Sequence, residues 1–426
     1  MHFMNIFKDI KAFFSGKKQY TFYFQTLTFG DSLLSLWFFF LQLFGLKPAR
    51  KSRELFLDEV YKLFKFRQGF LFGSARSSLF ALLKSLNYDL GSEVLVTGFT
   101  CEVVPNAIIN AGFTPVYVDI NPTNYCMDPV IAEKLITDNT KAIIIQHTFG
   151  IPAQIDELIS IAQKHNLFVI EDCAVSLGSK YKGKLTGTFG DAAIFSFELS
   201  KTITSCWGGM ILLNTNKDKV IEKMSAFYKK VLEQKKPQKL KTLFQLGISG
   251  ILYRPGLYIL GKYIIALLFK LRIFSPSTPL VEKEGGLSPN YLVKLSDEQS
   301  SIVLRQYLRL DKLIEQKVRI KNKYLIELSH LLDDQFIQLI IDKDVVLVRF
   351  PVLTNNRLNL RDWFESNYFE LGYWFTAPIS SKSTNHKLFK YKSKSCSKSE
   401  IISNKVINLS TNYYLFPPRE FWYNSK

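Results

Sequence analysis

Acidic residues are scarce in this chain: 37 Asp and Glu stand against 55 Lys and Arg over 426 residues, a formal net charge of +18. From Thr242 to Pro279 there is no acid at all, while Leu, Ile, Phe and Tyr dominate. A positive field draws nucleic acid, anionic lipid or an anionic substrate, and composition alone does not choose among them. The chain has no helix-turn-helix spacing and no aromatic ribonucleoprotein motif, which argues against a nucleic-acid partner. Cysteine is sparse too. Cys101, Cys126, Cys173, Cys206 and Cys396 show no paired spacing, so they read as reduced thiols of a cytoplasmic protein, with no disulfide framework. Five scattered histidines without a Cys-x-x-Cys leave little material for a structural metal site, and none is expected. Long hydrophobic runs are missing as well. The longest early one, Leu33 to Leu46, is broken by Gln42 and falls short of the roughly 20 residues that cross a bilayer. No small-residue cleavage site follows it, and the next segment, Lys47 to Arg53, is basic, which argues against a signal peptide.

The length allows a large core and two domains of unequal size. Residues 1–70 form a basic, aromatic-rich segment with helix in parts. Residues 71–280 read as the larger domain, with an apolar, basic insertion near 217–280, and 281–426 as a smaller C-terminal α/β domain. Within the larger one, strands at Val94–Val96, Val116–Val118, Ala142–Ile145, Leu167–Ile170, Ala192–Phe197 and Met210–Leu213 alternate with helical periodicity after Ser74, near Val103 and over Ile155–His165. That alternation builds a parallel sheet flanked by helices. In the insertion, Gly247, Gly250, Pro255 and Gly261 divide the apolar stretch, so one or two interfacial or dimer-facing helices are expected rather than a spanning one. Later, Leu295–Tyr324 reads as helix, Val345–Phe350 as a strand, Ser381–Ser399 as a Lys/Ser-rich loop and Val406–Thr411 as a late strand.

Two residues carry the chemistry. Lys201 ends the run Phe195-Ser-Phe-Glu-Leu-Ser-Lys201, and Asp172 closes the probable strand end Glu171-Asp-Cys-Ala174. A lysine and a carboxylate on separate strand ends are what pyridoxal phosphate requires. The amine holds the cofactor aldehyde as a Schiff base and moves the substrate proton, and the carboxylate keeps the ring nitrogen protonated. Taken alone, an aspartate ending a strand is ordinarily a helix cap, and a lysine beyond one a solvated surface group. Ser74, in the turn Gly73-Ser-Ala-Arg-Ser77 ahead of a helix, suits an N-cap or an anion site.

Five ordered blocks decide the matter: Glu93-Val-Leu-Val, Ala111-Gly-Phe-Thr-Pro-Val-Tyr-Val-Asp-Ile120, Gly150-Ile-Pro-Ala-Gln-Ile-Asp156, Glu171-Asp-Cys-Ala174 and Phe189-Gly-Asp-Ala-Ala-Ile-Phe-Ser-Phe197. The chain resembles the DegT/DnrJ/EryC1/StrS family of sugar aminotransferases, well from about Gly73 to Asn214 and more weakly from about Leu295 to Thr411. The resemblance implies fold type I of the pyridoxal-phosphate-dependent aminotransferases: a large domain with a mainly parallel seven-stranded sheet, and a smaller α/β domain. It implies Lys201 and Asp172 as the catalytic pair, and Ser74, Ala75, Arg76, Cys101, Ala174, Val175 and Ser196 beside them around the cofactor, with His147 near the site. It also implies a homodimer with shared sites, a nucleotide-linked keto-sugar as acceptor and glutamate or a similar amino-acid donor, in the making of a surface polysaccharide or glycoside. Four positions depart from the pattern. Cys101 stands where many members stack an aromatic ring, with Phe99 two residues away. Val175 stands where a Gln or His meets the ring hydroxyl, and Trp207 where an acid precedes the double glycine. Leu292 stands where the neighbouring subunit's asparagine reaches the phosphate, with Asn290 close by. These departures keep open other cofactor chemistry or another acceptor on the same fold. The acid-free stretch at 242–271 also keeps open peripheral contact with the inner face of the membrane, or an idle membrane-surface sensor or scaffold.

Overall fold

Alternation at period two builds the centre of the molecule. In Thr140–Gln146, Ala142 and Ile144 face one layer of helices while Ile143 and Ile145 face the other. The same alternation divides Val94 and Val96 from Leu95, and Phe168 and Ile170 from Val169. Strands buried on both faces read as nearly continuous apolar runs, which is why they were visible in the sequence. The computed structural model describes residues 6–21, 26–46, 51–380 and 384–415.

Seven strands form the main sheet: β1 (Gln68–Phe72), β2 (Glu93–Thr97), β3 (Thr114–Val118), β4 (Thr140–Gln146), β5 (Phe168–Asp172), β6 (Ala192–Ser196) and β7 (Gly209–Leu213). Their order is β1-β7-β6-β5-β4-β2-β3, and only β7 runs against the others. The helices, in chain order, are α1 (Ile6–Phe14), α2 (Phe29–Leu43), α3 (Ser52–Phe64), α4 (Ala75–Leu86), α5 (Val103–Asn110), α6 (Pro129–Lys134), α7 (Ile155–Lys164), α8 (Asp218–Lys230), α9 (Lys236–Leu252), α10 (Pro255–Lys270), the short α11 (Leu280–Lys283), α12 (Asp297–Tyr307) and α13 (Leu310–Leu328). Helices α4, α5 and α8 cover one face of the sheet; α6 and α7, with α3 and α12, cover the other. The sheet is therefore the mainly parallel, helix-flanked α/β layer expected. Its C-terminal edge brings Gln146, Asp172 and Ser196 together, where ligands of such sheets gather.

Beyond α13 lie α14 (Asp334–Ile340), α15 (Arg357–Ser366), α16 (Ser397–Lys405) and an antiparallel pair, β8 (Arg349–Leu353) with β9 (Val406–Ser410). Three expectations need correction here. The strand placed at Val345–Phe350 begins only at Arg349, because residues 345–348 are held by other contacts: Val346 N–H donates to Ser179 Oγ and Val348 N–H to the Phe149 carbonyl. The Lys/Ser-rich stretch Ser381–Ser399 holds a single helical turn at His386–Phe389 and the start of α16, anchored by Ser399 Oγ donating to the buried Asp119 at 2.7 Å. Residues 381–383 lie outside the described residues. Helix over Leu295–Tyr324 resolves into α12 and α13.

The apolar stretch of the insertion forms two helices and no spanning one, as expected, but its glycines do not divide it. Of Gly247, Gly250, Pro255 and Gly261, only Pro255 divides it, standing at the first position of α10 where its missing N–H costs nothing. The glycines lie inside helices at close crossings. A Cβ on Gly250 would sit 2.2 Å from Ser32 Oγ, and one on Gly261 2.6 Å from the Leu252 carbonyl. Helix α9 thus packs on α2, and α1 on α10, as one accessory layer. No described helix is long and apolar enough to cross a membrane.

Asp31 ties that layer to the body. It completes a capping box with Thr28, and it pairs with Arg305 at 3.2 Å and more closely with Arg309. Burial would raise its pKa, but the hydrogen bonds from Arg309 and Thr28 and the charge of Arg309 outweigh it and hold the carboxyl below its ordinary value of 3.8. A folded-state value below the unfolded one stabilises the protein fully above the unfolded pKa and is lost as pH falls through the folded pKa. Asp31→Ala is expected to cost about 2–4 kcal/mol at pH 7. The deficit should shrink near pH 3, as read by urea unfolding at both pH values; an equal deficit at both would contradict the ion pair.

Candidate active site

A cavity of about 730 Å³ opens at the C-terminal edge of the sheet. Its size is that of a small-molecule site. Lys201, Asp172, Ser74, Ala75, Arg76, Cys101, Ala174, Val175 and Ser196 all line it.

One end is an anion cradle. Ser74 caps α4, accepting from Ser77 N–H at 3.2 Å, and the first-turn amides of Ala75 and Arg76 have no intrahelical acceptor. Gly209 approaches this turn so closely that a Cβ would lie 2.2 Å from Ala75 N and 2.4 Å from Ser74 C, so only glycine leaves the turn its shape. The Arg76 charge is already engaged: its guanidinium meets the buried Glu282 at 2.6 Å and also donates to the Ser277 carbonyl. The cradle's attraction for an anion therefore comes from amides, hydroxyls and helix dipole more than from Arg76.

At the other end Asp172 accepts the Ala174 N–H at 3.0 Å. Burial raises its pKa, against the pull of that N–H and of the Lys201 and His147 charges. Lys201 follows β6 in a tight loop, with its Nζ 4.5 Å from the Trp374 ring centroid. Burial lowers its pKa and the Arg349 charge adds to the effect, while Glu198, Cys101 and Asp172 oppose it. Arg349 stacks on the same indole at 4.0 Å. Cys101 is raised to about 12, by burial and by the Glu102 charge, so the residue standing in the aromatic position is a protonated, unreactive thiol.

The loop bearing Lys201 is pinned from α12. Gln306 Nε2 donates to the Thr204 carbonyl at 2.6 Å and its Oε1 accepts the Thr204 N–H at 3.0 Å. Gln299 Nε2 donates to the carbonyls of Ser205 at 3.0 Å and Trp207 at 2.8 Å. Gln306→Leu strands two buried backbone groups and is expected to cost about 2–4 kcal/mol, with faster release of any ligand bound to Lys201. Chemical denaturation and a ligand-release rate check it; an unchanged midpoint and rate would show that the glutamine does not hold the loop.

Not every expected residue reaches the cavity. His147 is buried below it, its Nε2 3.1 Å from Glu171 and its Nδ1 accepting the Ala153 N–H at 3.1 Å, which is the structural role a strand-end histidine usually has. Glu171 also accepts the N–H groups of Gly187, Phe189 and Gly190. Phe99 packs into the core against Phe375 and does not replace the ring missing at Cys101. Among the described residues, Asn290 and Leu292 of this chain do not line the cavity, whereas Val175 and Trp207 do. Sequence reasoning missed Arg349, Trp374, Glu102, Gln299 and Gln306. Trp374 and Arg349 arrive from the weakly patterned C-terminal part, and the glutamines act through backbone atoms of a distant loop, so no local spacing marks them.

A carboxylate holding one amide N–H, an uncharged-leaning lysine and an amide-rich cradle in one cavity form a donor set that fits pyridoxal phosphate. Comparisons agree. The model of the DegT/DnrJ/EryC1/StrS aminotransferase family matches residues 51–415. The GDP-perosamine synthase of Escherichia coli O157:H7 is 44% identical over 137 residues, 32% of this chain and 38% of that protein. A putative L-glutamine:3-amino-2,3-dideoxy-scyllo-inosose aminotransferase of Streptoalloteichus tenebrarius is 36% identical over 168 residues, 39% of this chain and 40% of that one. The matched stretches thus span about two-fifths of these relatives' own length. A putative sugar aminotransferase of Streptococcus pneumoniae, solved in its PMP form, shares the fold at a TM-score of 0.68 and 18% identity, covering 96% of this chain and 94% of its own.

Proposed function

Because the chain belongs to the DegT/DnrJ/EryC1/StrS aminotransferase family, we propose that it is a pyridoxal-phosphate-dependent aminotransferase. It carries an amino group from glutamate, or a similar donor, to a nucleotide-linked keto-sugar. The observation that carries this reading is the meeting of Lys201 and Asp172 in a cavity that also holds the capped start of α4. When bound, the cofactor would supply the electron sink that amino-group transfer needs. Lys201 anchors it and moves the proton, helped by burial and by Arg349, which keep its amine below the ordinary lysine range. Asp172 would pair with the ring nitrogen and hold its proton. Ser74, Ser196 and the amides of Ala75 and Arg76 would take the phosphate, and Cys101, Ala174 and Val175 line the same cavity where the ring would lie. Lys283 and Arg349 line the same cavity and suit the donor's carboxylates and a sugar diphosphate. The family supports a homodimer that completes its sites across the interface.

Incubating the cofactor-loaded protein with glutamate and a panel of nucleotide-linked keto-sugars tests the reading. Formation of 2-oxoglutarate together with an amino sugar is expected. Failure of every acceptor while glutamate still converts the bound cofactor would favour a different acceptor, a reading that Cys101, Val175 and Trp207 in the cavity wall would explain. Failure to take up cofactor at all would leave the idle scaffold.

A further inference from the structure

Helix α2 is built inside out. Its buried side chains include Asp31, Ser32, Ser35 and Gln42, while Phe29, Leu33, Trp37, Phe40 and, at the C-cap, Phe44 are exposed. The exposed five recur at spacings of four, four, three and four, a single stripe of a helix. Trp37 is 59% and Phe44 75% exposed. The buried polar side chains are satisfied from the body: Ser35 Oγ donates to the Leu243 carbonyl at 2.8 Å, Gln42 Nε2 to Glu298 at 2.6 Å, and Asp31 meets Arg305 and Arg309. Those bonds fix which face of α2 turns outward, so the apolar stripe is a property of the fold and not of a loosely placed helix. An outward row of large apolar groups marks a surface that something covers.

The neighbouring helices continue the pattern. On α10, Leu257, Ile264 and Leu267 are exposed on one side, followed by Leu271 just past its end, and on α1 Phe7 is 85% and Phe14 81% exposed. The charge around them has one sign. Helices α1, α2, α9 and α10 contain two acids, Asp9 and Asp31; both are buried, Asp9 against Lys262 at 2.7 Å and Tyr263 at 2.6 Å. Lys8, Lys11, Lys270 and Arg272 are exposed beside the apolar side chains. Of these helices, α1 and α2 precede residue 51, where the family match begins.

We propose that this accessory layer seats the protein on an anionic lipid bilayer, with the outer stripe of α2 entering the headgroup boundary and the lysines of α1 and α10 meeting lipid phosphate. Exposed aromatics flanked by cations, with no exposed acid, complement a negatively charged, apolar-cored surface. A second copy of the chain fits worse, since a two-fold contact would bring two halves that each carry exposed cations and, on these helices, no exposed acid to pair with them. The contact surface is therefore not the 242–271 stretch alone: Leu243 and Leu246 of α9 are buried, α10 adds its exposed side, and α2 supplies the main face. The layer also adjoins the cavity. Its core includes Cys206 of the lysine loop, with the partly buried Trp207 packed against it, and the chain leaving α10 lines the cavity at Ser277 and Thr278.

Flotation of the full-length protein with vesicles tests this, using equal parts phosphatidylglycerol and phosphatidylcholine, or phosphatidylcholine alone. Most of the protein should float with the anionic vesicles at low salt, and at least tenfold less with neutral ones. Trp37→Glu with Phe40→Glu should cut anionic binding at least tenfold while cofactor absorbance and circular dichroism stay unchanged. Lys8→Glu with Lys11→Glu should weaken it severalfold. Wild-type protein that stays at the bottom overturns the proposal, as does binding that ignores the α2 substitutions. So does a smaller assembly of the Trp37/Phe40 variant in sedimentation without any vesicle binding, which would assign the face to a second copy.

Discussion

Lys201→Ala is expected to lower turnover by about 10⁴-fold or more, because on the proposed reading one side chain is both covalent anchor and proton carrier. The fold should survive. Lys201 Nζ faces the Trp374 ring at 4.5 Å, and burial works against its charge, so removing it relieves a desolvation cost. Lys201→Arg should be no better, since a guanidinium stays protonated and offers no nucleophile. In the wild type the neutral amine is the reactive form. Capture of pyridoxal phosphate by the apoprotein should therefore quicken with rising pH and level off below pH 10.5, the ordinary lysine value. Stopped-flow absorbance over that range checks the direction. Turnover within tenfold of wild type for Lys201→Ala would remove this residue from the chemistry.

Asp172→Asn is the second large effect. The amide still accepts the Ala174 N–H, so the strand end keeps its shape, but the negative charge is gone. On the proposed reading, the ring nitrogen would then lack the partner that holds its proton, and the cofactor would be a weaker electron sink. A loss of about 10²–10³-fold in the rate of the glutamate half-reaction is expected, the size of removing one preorganised electrostatic partner. Single-turnover absorbance measures that step apart from acceptor binding. A variant within about threefold of wild type would mean that Asp172 faces something other than a ring nitrogen.

How much of this was legible in the sequence follows from where the forces are local. The parallel strands were, because burial on both faces writes them as apolar runs, and Asp172, Ser196 and Gln146 fall at their ends by construction. Ser74 was, because capping is a local hydrogen bond. Arg76 was only half legible: its place in the cavity follows from the turn, but its pairing with Glu282 spans more than two hundred residues and has no local mark. The insertion misled for the same reason. Gly247 and Gly250 read as breaks when taken alone, whereas their meaning lies in Leu36 and Ser32 on a helix two hundred residues earlier. The stripe of α2 was hidden for a related cause. Leu33 to Leu46 reads only as a broken apolar run until Asp31, Ser35 and Gln42 find their partners and turn the apolar side out.

Borohydride reduction of the cofactor-loaded protein, followed by proteolysis and mass spectrometry, tests the central claim most directly. Among the described residues two lysines line the cavity, Lys201 and Lys283, so the outcome discriminates within the site itself. The expected result is one modified peptide, carrying the reduced cofactor on Lys201. A label on Lys283, or no label on protein that has taken up the cofactor, would contradict it.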